Sequence, residues 1–361
     1  MSERRKLMIM AAGTGGHIFP GLAIAQTMQA QGWDVTWLGT LHGMEGNIVP
    51  AHGIEMDRID FAGLRGKGLM HMLKGGVHLM TGFLACLGIM KQRKPDLVVG
   101  MGGYVTVPGG MAARMLGIPV VLVNADARLL LSNKTLASSA KRILFGFPGN
   151  YGELASKSVC TGNPVRQEIK TLPAPEHRYG QREGALKILV VGGSLGAKAL
   201  NDCIPAAMAL LPFESRPQLV HQTGRQHVAS VRQQYRKAQV HAEVVDFIDD
   251  MAARYADADL VICRAGAITV TELTAAGVAS VLVPLIASTT SHQRDNALFM
   301  SGEGAAIHLP QADMTPESLA RIIGEMTREK CLEMAKKAYA LGKRDANERI
   351  ADVLVRTANG K

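Results

Sequence analysis

The sequence predicts an α/β protein built from two Rossmann-like domains, each a doubly wound parallel sheet. Three observations predict it. At 361 residues the chain is too long for one hydrophobic core and suits two domains of roughly 150 to 200 residues. Short apolar runs alternate with helical stretches, which is the pattern of βαβ units. A strand that runs into a glycine-rich loop and then a helix occurs twice, once in each half.

The elements follow in order. Lys6-Leu-Met-Ile-Met-Ala-Ala12 is a buried strand ending at glycines, and Pro20 to Gln31 reads as the helix after the loop. Val35–Gly39, Asp96–Gly100 and Pro119–Val123 are further strands of the first half. The pattern restarts at Lys187–Val191, which enters Gly192-Gly-Ser-Leu-Gly196, and continues with strands at Asp259–Cys263 and Ser280–Pro284. Thr161-Gly-Asn-Pro-Val165 carries the Gly, Asn and Pro punctuation of a connector, residues 171–184 a surface loop, and Ser318 to Arg356 is helical. The expected domains are therefore 1–162 and 163–340, with a terminal helical segment 341–361 returning to the first domain.

Hydrophobic residues make up 47% of the chain and aromatics 4%, so the cores are aliphatic and methionine-rich, and 39 glycines suit close helix–sheet packing. Cys86, Cys160, Cys203, Cys263 and Cys331 are widely spaced without a CxxC pair, the usage of a reduced cytosolic protein without structural zinc. The polar, basic Met1–Lys6 is not a signal peptide. Residues 1–160 carry 16 Lys+Arg against 9 Asp+Glu, whereas 161–361 carry 24 against 22, so the first half is expected to face something anionic. No helix-turn-helix spacing, zinc knuckle or aromatic platform supports nucleic acid. A phospholipid surface fits better. Leu69 to Met90 is apolar and flanked by Arg65, Lys67, Lys91, Arg93 and Lys94. Glycines and His78 interrupt it too often for a span of about 20 apolar residues, which leaves a face dipping into headgroups or a plain core helix.

Glycine loops that open helices offer backbone amides and a helix N-terminus to phosphate. A dinucleotide fingerprint fails here: after Gly13-Thr14-Gly15 the third glycine would fall at Ile18, and the second strand ends at Gly39-Thr40 rather than at an acidic residue. His17 follows Gly15-Gly16 at the start of the first helix, where an imidazole can take a proton from an attacking hydroxyl near neutral pH. Cys263-Arg-Ala-Gly-Ala-Ile-Thr-Val-Thr-Glu272 orders strand, turn and helix so that Ala267 to Thr269 present amides to an anion, with Glu272 one turn in, able to accept two ribose hydroxyls. The bland alternative for Glu272 is a carboxylate favouring the helix dipole. Asp257-Ala-Asp259 has the look of a metal-binding DxD but precedes a buried strand, so it reads as a strand-entry turn. No cofactor is expected, and Arg166 or Arg264 would meet the leaving-group charge.

These stretches, with Gly102-Gly-Tyr-Val-Thr-Val-Pro-Gly-Gly110, Thr161-Gly-Asn-Pro-Val-Arg166, Gly192-Gly-Ser-Leu-Gly-Ala197, Phe247-Ile-Asp-Asp-Met251 and His292-Gln-Arg-Asp-Asn-Ala297, resemble the MurG family in order and across nearly the whole chain. The resemblance implies a GT-B architecture, two Rossmann-like domains facing a deep cleft. It also implies inverting, metal-independent transfer of N-acetylglucosamine from UDP-GlcNAc to the C4 hydroxyl of the MurNAc of lipid I (undecaprenyl-diphosphate-MurNAc-pentapeptide), giving lipid II in peptidoglycan synthesis. The enzyme would sit peripherally on the cytoplasmic face of the inner membrane, with an anionic membrane surface and cell-wall synthesis and division proteins as partners.

Carried over residue by residue, the family pattern gives the donor Thr14, Gly15, Gly16, Arg166, Ser194, Ile248 (uracil), Arg264, the segment Ala267, Ile268, Thr269, Val270, Thr271 and Glu272 (diphosphate and ribose), and Gln293 and Asn296 (sugar). It gives the acceptor Gly102, Gly103, Tyr104 and Asn133, with His17 as base. Two places depart from the pattern. Val123-Asn-Ala-Asp126 replaces a common His-Glu-Gln-Asn run, and its Asp126 would repel a diphosphate; Leu195 stands where glutamine is common. A nucleotide-sugar epimerase of similar fold and a non-catalytic membrane-peripheral sugar-nucleotide-binding protein remain as rivals.

Overall fold

The computed structural model describes residues 4–13, 15–61, 69–180, 182–193, 195–285 and 292–360, and within 69–75 the backbone alone. Thr14, Ser194, Arg65 and Lys67 lie outside the described residues. The chain divides into two compact units, 1–166 with 345–361, and 167–344.

The first unit runs β1 (Lys6–Met10), α1 (Gly15–Ala30), β2 (Asp34–Thr40), α2 (Glu45–Ala51), β3 (Glu55–Ile59), α3 (Leu69–Arg93), β4 (Leu97–Gly100), α4 (Thr106–Met115), β5 (Val120–Asn124), α5 (Leu131–Leu136), β6 (Arg142–Phe145) and β7 (Ser158–Cys160). Its seven strands are all parallel, in the order β3-β2-β1-β4-β5-β6-β7. Side chains alternate across the sheet as the strand period requires: Leu7 and Ile9 enter one core, Met8 and Met10 the other. Both faces are thus covered, which is why the central strands read as unbroken apolar runs.

The second unit runs α6 (Gln167–Lys170), α7 (Pro175–Tyr179), β8 (Lys187–Val191), α8 (Lys198–Ala209), β9 (Gln218–Gln222), α9 (Val228–Lys237), β10 (Glu243–Val245), α10 (Met251–Asp257), β11 (Leu260–Cys263), α11 (Ala267–Ala276), β12 (Ala279–Leu282), α12 (His292–Ser301), β13 (Ile307–His308), α13 (Pro316–Gly324) and α14 (Arg328–Leu341). Six parallel strands lie in the order β10-β9-β8-β11-β12-β13. The last helix, α15 (Ala346–Ala358), belongs to the first unit and packs its Ile350, Ala351 and Leu354 into the core beside α1.

Several local readings change. The first helix begins at Gly15, and Pro20 lies inside it, so His17 sits in the first turn. The division falls after Arg166 rather than after residue 162, because the expected connector is tied down within the first unit. Asn163 Nδ2 donates to the Ala125 carbonyl (2.8 Å), and the Asn347 side chain of α15 bonds both the N–H and the carbonyl of Val165 (3.0 Å each). Residues 171–184 include α7, whose buried Arg178 donates to the Ala276 and Gly277 carbonyls. The 318–356 helical stretch is three helices, separated at Thr327 and around Gly342–Asp345.

Within α3, Cys86 and Met90 enter the core, while Val77, Met80 and Leu84 are 64%, 57% and 57% exposed, so one face of this helix is buried and the other is apolar and open. Its neighbour α4 exposes Met111 and Met115 beside Arg114. Arg93 is not a free surface cation: it forms paired hydrogen bonds with Asp57 (2.8 and 2.9 Å) and an ion pair with Glu55, which together raise its pKa. Lys91 and Lys94 remain exposed. Among the described residues no helix is long and apolar enough to cross a membrane.

Candidate active site

In an open parallel sheet, ligands gather beyond the carboxyl ends of the strands where the strand order reverses. In the first unit that point lies between β1 and β4, because the chain proceeds from β1 outward to β3 and then returns to the other side of β1. The loops leaving β1 and β4 meet there. Gly103 has φ +82°, and a Cβ on it would stand 2.4 Å from the Ala12 carbonyl oxygen, so the loops touch backbone to backbone and no other residue fits. A Cβ on Gly102 would lie 2.9 Å from Cδ2 and Nε2 of His17, which places the imidazole directly against this second loop. Thr106 Oγ1 donates to the Gly102 carbonyl (2.8 Å) and steadies the turn, and Tyr104 is 41% exposed beside it.

Burial is the largest influence on His17 and lowers its pKa below 6.5; the Asp126 charge and the Ala12 carbonyl offset part of this. Its Nδ1 is buried without a hydrogen bond of normal geometry among the described residues. Burial therefore favours the neutral form of the ring.

Asn133 is fully buried, and its Nδ2 donates to the Val123 carbonyl (3.1 Å) and to Asn124 Oδ1 (3.2 Å). Asn124 in turn donates to the Asp126 and Arg128 carbonyls (2.8 and 2.9 Å) and accepts from the Leu130 N–H (2.9 Å). The pair shapes the 125–130 loop from inside, and Asn133 Oδ1 is buried with no hydrogen-bond partner among the described residues. Arg166 is half-buried at the end of the first unit.

The second unit repeats the arrangement, with its reversal between β8 and β11. An open cavity of about 660 Å³ is lined by Gly192, Gly193, Gly196, Arg264, Gln293 and Gln311, among others. The Gly193 N–H donates to Gln222 Oε1 (3.2 Å), and Leu195 projects outward, 86% exposed. Arg264 donates to the Val283 carbonyl (3.2 Å), its pKa lowered by burial, and no carboxylate pairs with it among the described residues. Gly266 precedes helix α11 at the cap position and supplies no side-chain cap. The Val270 N–H is already bonded to the Gly266 carbonyl (2.9 Å) and its side chain is fully buried, so the amides left open are those of Ala267, Ile268 and Thr269. Thr271 and Glu272 are buried one turn in, and Ile248 is 7% exposed just beyond β10.

Gln293 accepts from the Leu285 N–H (2.8 Å). Asn296 is fully buried and its Nδ2 donates to the Ala265 carbonyl (3.1 Å), holding α12 to the β11 turn. Sequence reasoning passed over Gln311, whose Oε1 is buried at the cavity edge without a partner among the described residues, and Glu45. Asp257 and Asp259 lie at the opposite end of the sheet. Asp259 is fully buried and pairs with Arg182 (2.6 Å) and Arg328 (3.3 Å), and Asp257 pairs with Lys187 (2.6 Å), so this DxD is a strand-entry ion cluster.

Residues 7–145 match the glycosyltransferase family 28 N-terminal domain and residues 187–350 its C-terminal domain. The chain belongs to glycosyltransferase family 28. Family 28 relatives named UDP-N-acetylglucosamine--N-acetylmuramyl-(pentapeptide) pyrophosphoryl-undecaprenol N-acetylglucosamine transferase include one from Janthinobacterium sp. (strain Marseille), 64% identical over 97% of this chain and 98% of its own. Another, from Herminiimonas arsenicoxydans, is 65% identical over the same shares. The crystal structure of Acinetobacter baumannii MurG matches with TM-score 0.82 at 39% identity, covering 98% of this chain and 99% of that one. UDP-GlcNAc 2-epimerase from Neisseria meningitidis shares the fold alone, with TM-score 0.66 at 14% identity. The family 28 chain described here is thus a glycosyltransferase with the GT-B fold. It carries a glycine-rich loop after the first strand of each unit and, in the first unit, a buried imidazole against the Gly102 turn.

Proposed function

We propose that this enzyme transfers N-acetylglucosamine from UDP-N-acetylglucosamine to the C4 hydroxyl of the MurNAc of lipid I, giving lipid II. The observation that carries the reading is 64% identity along 97% of the chain to a relative named for that transfer. In the proposed reaction the acceptor oxygen attacks the anomeric carbon, His17 takes the hydroxyl proton, and the bond from that carbon to the diphosphate oxygen breaks. UDP leaves with the bonding pair, and the configuration inverts. Aligning the reactants and excluding water favour transfer over donor hydrolysis.

The donor diphosphate would lie on the open amides of α11 and the Gly192–Gly196 loop, with Arg264, Arg166 and Ser194 beside it. Thr14, Gly15 and Gly16 would face the donor from the first unit. Glu272 would take the ribose, Ile248 the uracil through its backbone, and Gln293 the sugar hydroxyls. Gly102, Gly103 and Tyr104 would address the acceptor. The leaving-group charge is then met by amides and guanidinium, a reading supported by the engagement of Asp257 and Asp259 in ion pairs at the far end of the sheet.

The open face of α3 with Val77, Met80 and Leu84, beside Lys91, Lys94 and Arg114, would rest on an anionic cytoplasmic membrane surface, where apolar burial and phosphate attraction act together. Cell-wall synthesis and division proteins would meet the enzyme there. Radiolabelled UDP-N-acetylglucosamine incubated with lipid I in detergent, with a chelator present, should deliver label to the lipid phase. Label confined to the aqueous phase, or epimerised sugar from donor alone, would contradict the assignment.

A further inference from the structure

Glu45 is fully buried, yet among the described residues no cation pairs with it. A carboxylate in such a place is stable only when hydrogen bonds replace its water. Here Oε1 accepts from the Thr40 N–H (3.0 Å) and Thr40 Oγ1 (2.7 Å), and Oε2 accepts from the Gly13 N–H (3.1 Å). The pocket is made by missing side chains: a Cβ on Gly43 would fall 2.0 Å from both carboxylate oxygens, and one on Gly39 would fall 2.9 Å from Glu45 Cγ. The first residue of α2 therefore reaches under the β1 loop and holds it to the end of β2.

Gly13 has φ +101°, and its N–H is turned inward to the carboxylate. Two residues further on, α1 begins, with His17 in its first turn. On the other side the same loop is backed by Gly103 against the Ala12 carbonyl, and the imidazole rests on Gly102. The loop is thus fixed from below by an anion and from the side by backbone.

We propose that Glu45 is a positioning residue for transfer: its carboxylate clamps Gly13 to Thr40 and so sets His17 against the Gly102 turn. The clamp touches neither substrate. Glutamine cannot replace it, because each carboxylate oxygen accepts from a backbone N–H and the amide NH₂ would confront one of the two. Of the proposed donor residues only Thr14, Gly15 and Gly16 adjoin the clamp in sequence, while those around the cavity lie in the second unit, so its loss falls on turnover more than on donor affinity. This inference rests on the proposed function.

The test is Glu45→Gln, assayed for transfer to a lipid-linked acceptor, for UDP-N-acetylglucosamine binding by calorimetry, and for fold by circular dichroism. The expected result is a fall in kcat of at least about ten-fold with donor Kd and donor KM within about two-fold of wild type. Thr40→Val, which keeps the backbone bonds and loses the 2.7 Å one, should show a smaller loss in the same direction, and it carries the test if Glu45→Gln does not fold. A kcat within two-fold of wild type in the folded variant, or a fall in kcat matched by equal loss of donor affinity, would overturn the clamp. Wild-type enzyme that moves no label into lipid sinks the assigned reaction and the clamp's catalytic role with it. Active wild type beside an unimpaired Glu45→Gln sinks the clamp alone.

Discussion

Acidification should destabilise the second unit through one histidine. His221, at the end of β9, is fully buried, with Nδ1 on the Tyr235 hydroxyl (2.8 Å) and Nε2 on Asn201 Oδ1 (3.1 Å), and burial lowers its pKa from 6.5 to about 3. The unfolded chain binds a proton at this residue more strongly than the folded one, so the stability present above pH 6.5 is lost as pH falls toward 3. The slope is about 1.4 kcal/mol per pH unit in that window, which gives about 2 kcal/mol lost between pH 7 and pH 5 and about 5 kcal/mol below pH 3. For a unit of this size 2 kcal/mol is about 4–8 °C in Tm. His221→Gln removes the titration, so thermal unfolding by circular dichroism at pH 7 and pH 5 should show a smaller acid shift by that amount, with other groups cancelling in the comparison. Equal shifts in variant and wild type would refute the reasoning. The network reaches the donor loop: Asn201 Nδ2 donates to the Thr223 carbonyl (3.1 Å), and a Cβ on Gly196 would stand 2.1 Å from that same oxygen.

Other predictions concern the site and its supports. Glu272→Ala should weaken UDP-N-acetylglucosamine binding by at least about ten-fold in calorimetry while kcat at saturating donor falls less; unchanged affinity removes it from the ribose. Because burial lowers the His17 pKa, kcat/KM should rise with pH through a value below 6.5 and be level by pH 7. His17→Ala should lower kcat by about 10²-fold or more and abolish that limb, and Asp126→Asn, which removes a charge that raises the pKa, should move the limb to still lower pH. A pH profile identical in His17→Ala would exclude the imidazole. Changing Val77 and Leu84 together to Glu should reduce sedimentation with anionic vesicles several-fold and leave transfer to a short-chain soluble acceptor intact; unchanged sedimentation counts against the α3 face. Asn347→Leu strips two buried bonds from Val165 and should cost about 2–5 kcal/mol, read in urea unfolding.

The centre of each sheet was legible in the sequence because strands buried on both faces must be apolar throughout, as in Lys187–Val191 and Leu260–Cys263. The edges were not. β3 reads Glu-Met-Asp-Arg-Ile and β13 is two residues long, so neither leaves an apolar run to find. Gly102 and His17 were each visible as motif residues, but their contact depends on β4 lying next to β1, which no local pattern states. Asn133 and Asn296 are visible as motif residues, but the backbone carbonyls that their Nδ2 atoms bond could not be read from the motif, since an amide is as useful to a loop as to a sugar. The same holds for Arg93, whose partners Glu55 and Asp57 lie on a strand the apolar pattern missed. Glu45 could have been suspected from Gly39 and Gly43 flanking Thr40, small residues that leave room for a buried carboxylate.

The central claim is that the second unit grips a uridine diphosphate sugar. A crystal soaked with UDP-N-acetylglucosamine should show the diphosphate over the amides of Ala267, Ile268 and Thr269 with Arg264 in reach and the ribose at Glu272. Ligand density confined to the Gly13–His17 loop of the first unit, or none at saturating concentration, would contradict it.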